Sequence, residues 1–78
     1  MENKHFDISI IGAGNMAFRL GIALAEAGHR IGKIWCRRPS EGKKLAKILS
    51  SYGERTQYFS ELSALRNSEI IIIAVSDN

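Results

Sequence analysis

Cysteine is almost missing from this sequence. Cys36 stands alone, so no disulfide can form within one chain, and no Cys/His cluster has metal-ligand spacing. Long apolar stretches are missing too. The longest uninterrupted run, residues 70–75, has six residues and is far short of a membrane span. The first residues, Met1-Glu2-Asn3-Lys4-His5, are polar and lack the apolar region of a signal peptide. Charge of one sign is also scarce: 11 basic residues stand against 8 acidic ones. Apart from Arg37-Arg38 and Lys43-Lys44 the basic residues are scattered, so no basic stretch argues for nucleic acid. These absences exclude a disulfide scaffold and a membrane-spanning helix. They make a cytoplasmic protein with neither nucleic-acid nor membrane partner the expectation, and no metal site is expected.

What is present is the composition of an ordinary globular chain, 45% hydrophobic and 24% charged over 78 residues. That length supports one small domain, 1–78, which buries roughly 60% of its unfolded surface and has a thin margin of stability. Residues 6–11 read as a strand, with β-branched Ile8, Ile10 and Ile11 before a glycine. Residues 15–27 read as a helix: Ala17, Leu20, Gly21, Leu24 and Ala27 share a face, and Gly28 sits where a C-terminal glycine belongs. A second strand follows over 31–36. A second helix over 39–51 starts with Pro39 in its first turn, carries Leu45, Ile48, Leu49 and Tyr52 as its apolar stripe, and ends at Gly53. Gly42 weakens its start. Residues 56–59 form a short strand candidate, and Ser60 can cap a brief helix over 61–66. The last strand, 69–75, does not alternate, which suits a strand covered on both faces. Strands alternating with helices predict an α/β fold with a parallel sheet and right-handed crossovers. In a doubly wound sheet the spatial order is 3-2-1-4, with ligand at the carboxyl ends of strands 1 and 4.

The chemistry lies in the loop after the first strand, Gly12-Ala13-Gly14-Asn15-Met16-Ala17, a G-x-G-x-x-A pattern. Gly12 permits a tight turn, Gly14 lets a pyrophosphate approach the backbone, and Ala17 keeps helix and strand close. The helix N-terminus then offers N–H groups and partial positive charge to the phosphates. A bare turn between strand and helix can carry the same glycines. Here a strand precedes the pattern, a helix follows it, and a second strand ends about 20 residues later, the spacing of a dinucleotide-binding unit.

The end of the second strand decides which dinucleotide. NAD sites usually place Asp or Glu there to bond the ribose hydroxyls. In this chain Cys36 stands at that point, followed by Arg37, Arg38 and Pro39, and no carboxylate occurs before Glu41. A carboxylate repels a 2′-phosphate, whereas guanidinium groups hold it bidentately. NADP(H) is the cofactor expected. Two arginines at a helix start are also an ordinary solvated pair, but positive charge near a helix N-terminus is unfavourable, and that argues for an anion.

Residues Ile10-Ile11-Gly12-Ala13-Gly14-Asn15-Met16-Ala17 resemble the opening of the NADP-binding domain of pyrroline-5-carboxylate reductases and of F420-dependent NADP reductases. Arg37, Pro39 and Lys44-Leu45-Ala46 match the turn and the Leu-Ala-rich helix of those families. Ile72-Ile73-Ala74-Val75 resembles their fourth strand. The ending Ala74-Val75-Ser76-Asp77-Asn78 is closer to a group of NADP oxidoreductases assigned by sequence, which join this Rossmann-like domain to a C-terminal helical domain of unknown function. Pyrroline-5-carboxylate reductases usually carry Lys-Pro after that strand, a departure from this chain. The resemblance implies that the backbone at Asn15 and Met16 meets the pyrophosphate, with Gly12, Ala13 and Gly14 forming the loop. It further implies that Arg37 and Arg38 meet the 2′-phosphate, and that Ala74, Val75 and Ser76 line the path from adenosine to nicotinamide.

Members of that group run well past the fourth strand, so the expectation is an N-terminal cofactor portion, truncated after strand 4, without its substrate domain. Strand 4 then lies at an open edge, and self-association through residues 70–75 is expected. The leading function is the cofactor domain of an NADP-dependent oxidoreductase, inactive by itself; the rival is a non-catalytic NADP(H)-sensing or interaction module. No catalytic residue is assigned. His5 and His29 read as surface residues, Cys36 as a small residue near the ribose, and Trp35 and Tyr52 as core or core-edge aromatics.

Overall fold

The computed structural model describes residues 6–52 and 55–74. Strand β1 (Asp7–Ile11) leads to helix α1 (Asn15–Glu26), then β2 (Arg30–Trp35), α2 (Pro39–Ser50), β3 (Gln57–Tyr58), a one-turn 3-10 helix (Leu62–Leu65) and β4 (Ile70–Ile73). The four strands form one parallel sheet in the order β3-β2-β1-β4, the Rossmann-like arrangement read from the sequence.

Pairing register sorts the side chains. Ile10 pairs with Ile34 and Ile72, and Ile34 with Tyr58, so these four share one face of the sheet. Both α-helices cover that face. Ile8, Ile10, Ile31 and Ile34 from the strands pack with Ala17 of α1 and with Leu45, Ala46 and Leu49 of α2. In β2, Ile31 and Ile34 both reach this core although three residues apart, because the register slips between Ile8/Ser9 and leaves Gly32 as an extra residue. Each end of α1 has a physical cause. At its C-terminus Gly28 takes φ 95°, its N–H donates to Ala25 O, and the His29 N–H donates to Leu24 O, which satisfies the last carbonyls.

The opposite face is sparsely covered. The segment after β3 is strapped to it by Lys33 Nζ donating to Ala64 O (2.8 Å) and by the Trp35 indole N–H donating to Ser60 O (3.2 Å). Leu65 is buried beneath this strap. Ser9, buried in β1, shares a hydrogen bond with Ser68.

Several expectations shift. The brief helix over 61–66 is a single 3-10 turn preceded by Glu61, with no side-chain cap; the Ser60 carbonyl serves Trp35 instead. Residues 70–75 were expected to be covered on both faces, yet Ile70, Ile71 and Ile73 are exposed and only Ile72 packs against the core. The reason is that β4 is the sheet's edge and, among the described residues, no α-helix lies on the second face. Tyr52 is exposed in the turn after α2 rather than core. His29 is half-buried rather than free on the surface: its Nδ1 accepts from the Phe6 N–H, and its ring stacks on Phe6. Gly53, expected to end α2, and His5 lie outside the described residues.

Candidate cofactor site

β1, β2 and β4 lie side by side, so their carboxyl ends bring three loops to one end of the sheet. The chain leaves β1 through Gly12, whose φ of 121° is a backbone conformation that side chains disfavour. The Gly12 N–H donates to Trp35 O at 2.8 Å, extending the β1–β2 ladder by one bond. Gly14 is the N-cap of α1, and its carbonyl accepts the Phe18 N–H at 2.9 Å.

No side chain caps this helix, and its first turn holds no acidic residue. Ser, Thr, Asp or Asn would ordinarily occupy the cap and satisfy an N–H there. With glycine in that place, the first-turn N–H groups and the positive end of the helix dipole remain available to an anion. Asn15 and Met16 are exposed beside them, Ala13 is half-buried, and Ala17 is fully buried against the sheet. On the other side of the loop, buried Ala74 donates its N–H to Ile11 O at 2.8 Å, so the end of β4 runs alongside Gly12. Val75 and Ser76 lie outside the described residues.

Next to this loop, β2 leads into Cys36-Arg37-Arg38. Both arginines are exposed, and among the described residues no carboxylate pairs with either. The ion pair that does form, Arg30 with Asp7 at 3.6 Å, lies at the opposite end of the strands. Arg38 is the N-cap of α2, Pro39 begins the helix, and Glu41 stands in its first turn, where an acid complements the helix dipole. Cys36 is buried, and its Sγ–H donates to Arg38 O.

Beside Cys36 lies an arrangement that the sequence reading missed. The ring of Tyr58 rests on α2 at Gly42, where a Cβ would come within 2.4 Å of Tyr58 Cδ1 and 2.9 Å of Cys36 Sγ. The one available signal was a glycine in the first turn of a helix, read there only as a weakness. A separate pocket, whose lining includes Ser9, Lys33, Gln57, Asn67 and Ser68, opens on the second face toward the amino ends of the strands, away from the glycine loop.

The residues fit a dinucleotide. A glycine-built turn meets an uncapped helix N-terminus at the junction of β1 and β4, and a second cationic turn stands at the end of β2. Among the described residues no helix is long and apolar enough to cross a membrane.

No curated protein matches the chain. A crystal structure of a "putative oxidoreductase" from Pseudomonas putida KT2440 is similar at 29% identity, with a TM-score of 0.67 over 95% of this chain. The chain spans 23% of the length of that protein. A family model described as NADP oxidoreductase, coenzyme F420-dependent, matches residues 7–77. That match takes in all four strands, the glycine loop and the arginine turn, and the chain therefore belongs to this NADP oxidoreductase family, as its Rossmann-like cofactor-binding domain.

Proposed function

We propose that this chain, over residues 1–78, is the NADP(H)-binding portion of an oxidoreductase. The observation that carries the choice of NADP(H) is the turn at the end of β2. Arg37 and Arg38 stand there exposed and, among the described residues, without a carboxylate partner, where an NAD site would offer an acid to the ribose. In this reading the pyrophosphate lies over Gly12, Ala13 and Gly14 and accepts from the backbone N–H groups of Asn15 and Met16. The guanidinium groups of Arg37 and Arg38 hold the 2′-phosphate through charge-assisted bonds. Ala74, followed by Val75 and Ser76, borders the path from adenosine to nicotinamide.

Bound there, the nicotinamide supplies hydride transfer, while the chain's own residues bind, orient and space the cofactor. Residues that act on a substrate would come from a further domain. A matched titration with NADPH and NADH tests the reading. It predicts clearly tighter binding of NADPH; equal or tighter binding of NADH overturns it.

A second element of the proposal concerns β4. It is an edge strand of four isoleucines, with Ile71 and Ile73 exposed, and it carries no charge or proline that would discourage pairing. Self-association of the chain through residues 70–75 follows from that edge.

A further inference from the structure

We infer that Cys36 and Tyr58 are positioning residues that set the preference for a 2′-phosphorylated cofactor by fixing the Arg37-Arg38 turn; this rests on the NADP(H) reading above. Two exposed arginines discriminate one phosphate only if their backbone is already in place, because ordering a loose loop on binding offsets the gain. Here two consecutive anchors hold it. The carbonyl of Cys36 accepts from the Tyr58 hydroxyl at 3.3 Å. The carbonyl of Arg38 accepts from Cys36 Sγ at 2.9 Å and from the N–H groups of Glu41 and Gly42 at 3.1 Å each. The bonds therefore close on the residues immediately before and within the arginine pair, and the guanidinium groups remain outside the network.

The fold is shaped around this anchor. β3 pairs with β2 at Lys33↔Gln57 and Ile34↔Tyr58 alone, too short a strand to bury much core. What it delivers is Tyr58, whose ring packs against the first turn of α2 at Gly42. That seat exists because residue 42 is glycine: a Cβ there would overlap the tyrosine ring at 2.4 and 2.6 Å and crowd Cys36 Sγ at 2.9 Å. Gly42, which costs helix propensity, thus admits the tyrosine whose hydroxyl holds the Cys36 carbonyl at the start of the arginine turn.

The test is a titration of the full chain with NADPH and NADH for Tyr58→Phe, Cys36→Ala and Cys36→Ser, with circular dichroism reporting folding. Loss of one such hydrogen bond is expected to weaken NADPH binding about three- to tenfold. NADH binding should stay within about twofold, since it makes no 2′-phosphate contact. Cys36→Ser, whose hydroxyl can still donate to Arg38 O, should retain most of the preference that Cys36→Ala loses. If Tyr58→Phe does not fold, the Cys36→Ala and Cys36→Ser pair carries the result. Folded variants that keep the wild-type preference, or that lose both cofactors equally, overturn the positioning role alone. A wild-type chain with no preference for NADPH overturns the 2′-phosphate reading and this inference with it.

Discussion

The amide of Gly12 donates to the carbonyl of Trp35 at 2.8 Å, so the first residue of the glycine loop is also the last rung between β1 and β2. One residue beyond Trp35 the chain enters Cys36-Arg37-Arg38. The span between the pyrophosphate loop and the arginine turn is therefore set by the sheet rather than by two independent loops. A dinucleotide laid across both meets a ruler of fixed length.

Substituting that shared residue should disturb stability and binding together. At φ 121° a side chain is strained, and Gly12→Ala is expected to cost about 1–2 kcal/mol. For a domain of this size that is a fall in Tm of roughly 5–15 °C. NADPH and NADH should both be lost, since both carry the pyrophosphate. Gly28→Ala supplies the contrast: φ 95° makes it comparably destabilising, but it lies at the far end of α1 and should leave binding intact at temperatures where it is folded. Thermal melts and titrations on the two variants check this.

Two glycines without positive φ should also part company. A Cβ on Gly32 meets nothing within 4 Å, so Gly32→Ala is expected to be neutral or to stabilise by about 0.5 kcal/mol through the unfolded chain. Gly42→Ala improves helix propensity but drives a methyl into Tyr58, and should destabilise by about 1–3 kcal/mol. Urea midpoints with unchanged slopes would measure both.

The β4 edge makes a prediction about assembly. Ile73 is 69% exposed, so Ile73→Lys should change the stability of the fold by no more than about 0.5 kcal/mol. A lysine there opposes strand pairing. Sedimentation should show concentration-dependent association of the wild-type chain, reduced in Ile73→Lys. A wild-type chain that stays monomeric at high concentration contradicts the proposed edge contact.

Much of this fold was legible because its signals are local. The run Ile8, Ile10, Ile11 followed by Gly12, the face through Ala17 and Gly21, and Gly28 at the helix end each state their conformation within a few residues. Both α-helices begin at the predicted residue, Asn15 and Pro39. What was not legible depends on contacts between distant residues. The slip at Gly32, which brings Ile31 and Ile34 to one face, emerges only when β2 is laid beside β1. The exposure of Ile71 and Ile73 reflects what fails to cover them, a property of the assembled sheet. The Tyr58–Gly42–Cys36 contact joins β3, α2 and the turn after β2, and nothing in the local sequence around Tyr58 announces it. In the site, the glycine loop and the missing acid were readable from spacing, while the anchoring of the arginine turn was not.

The central claim is that the turn after β2 selects the 2′-phosphate. It is tested most directly by the ratio of NADH to NADPH dissociation constants in the wild-type chain and in Arg37→Ala. Loss of a charge-assisted contact predicts that NADPH binding weakens about ten- to a hundredfold while NADH binding barely changes, so the ratio collapses toward one. A ratio already near one in the wild type, or one that survives Arg37→Ala intact, would contradict it.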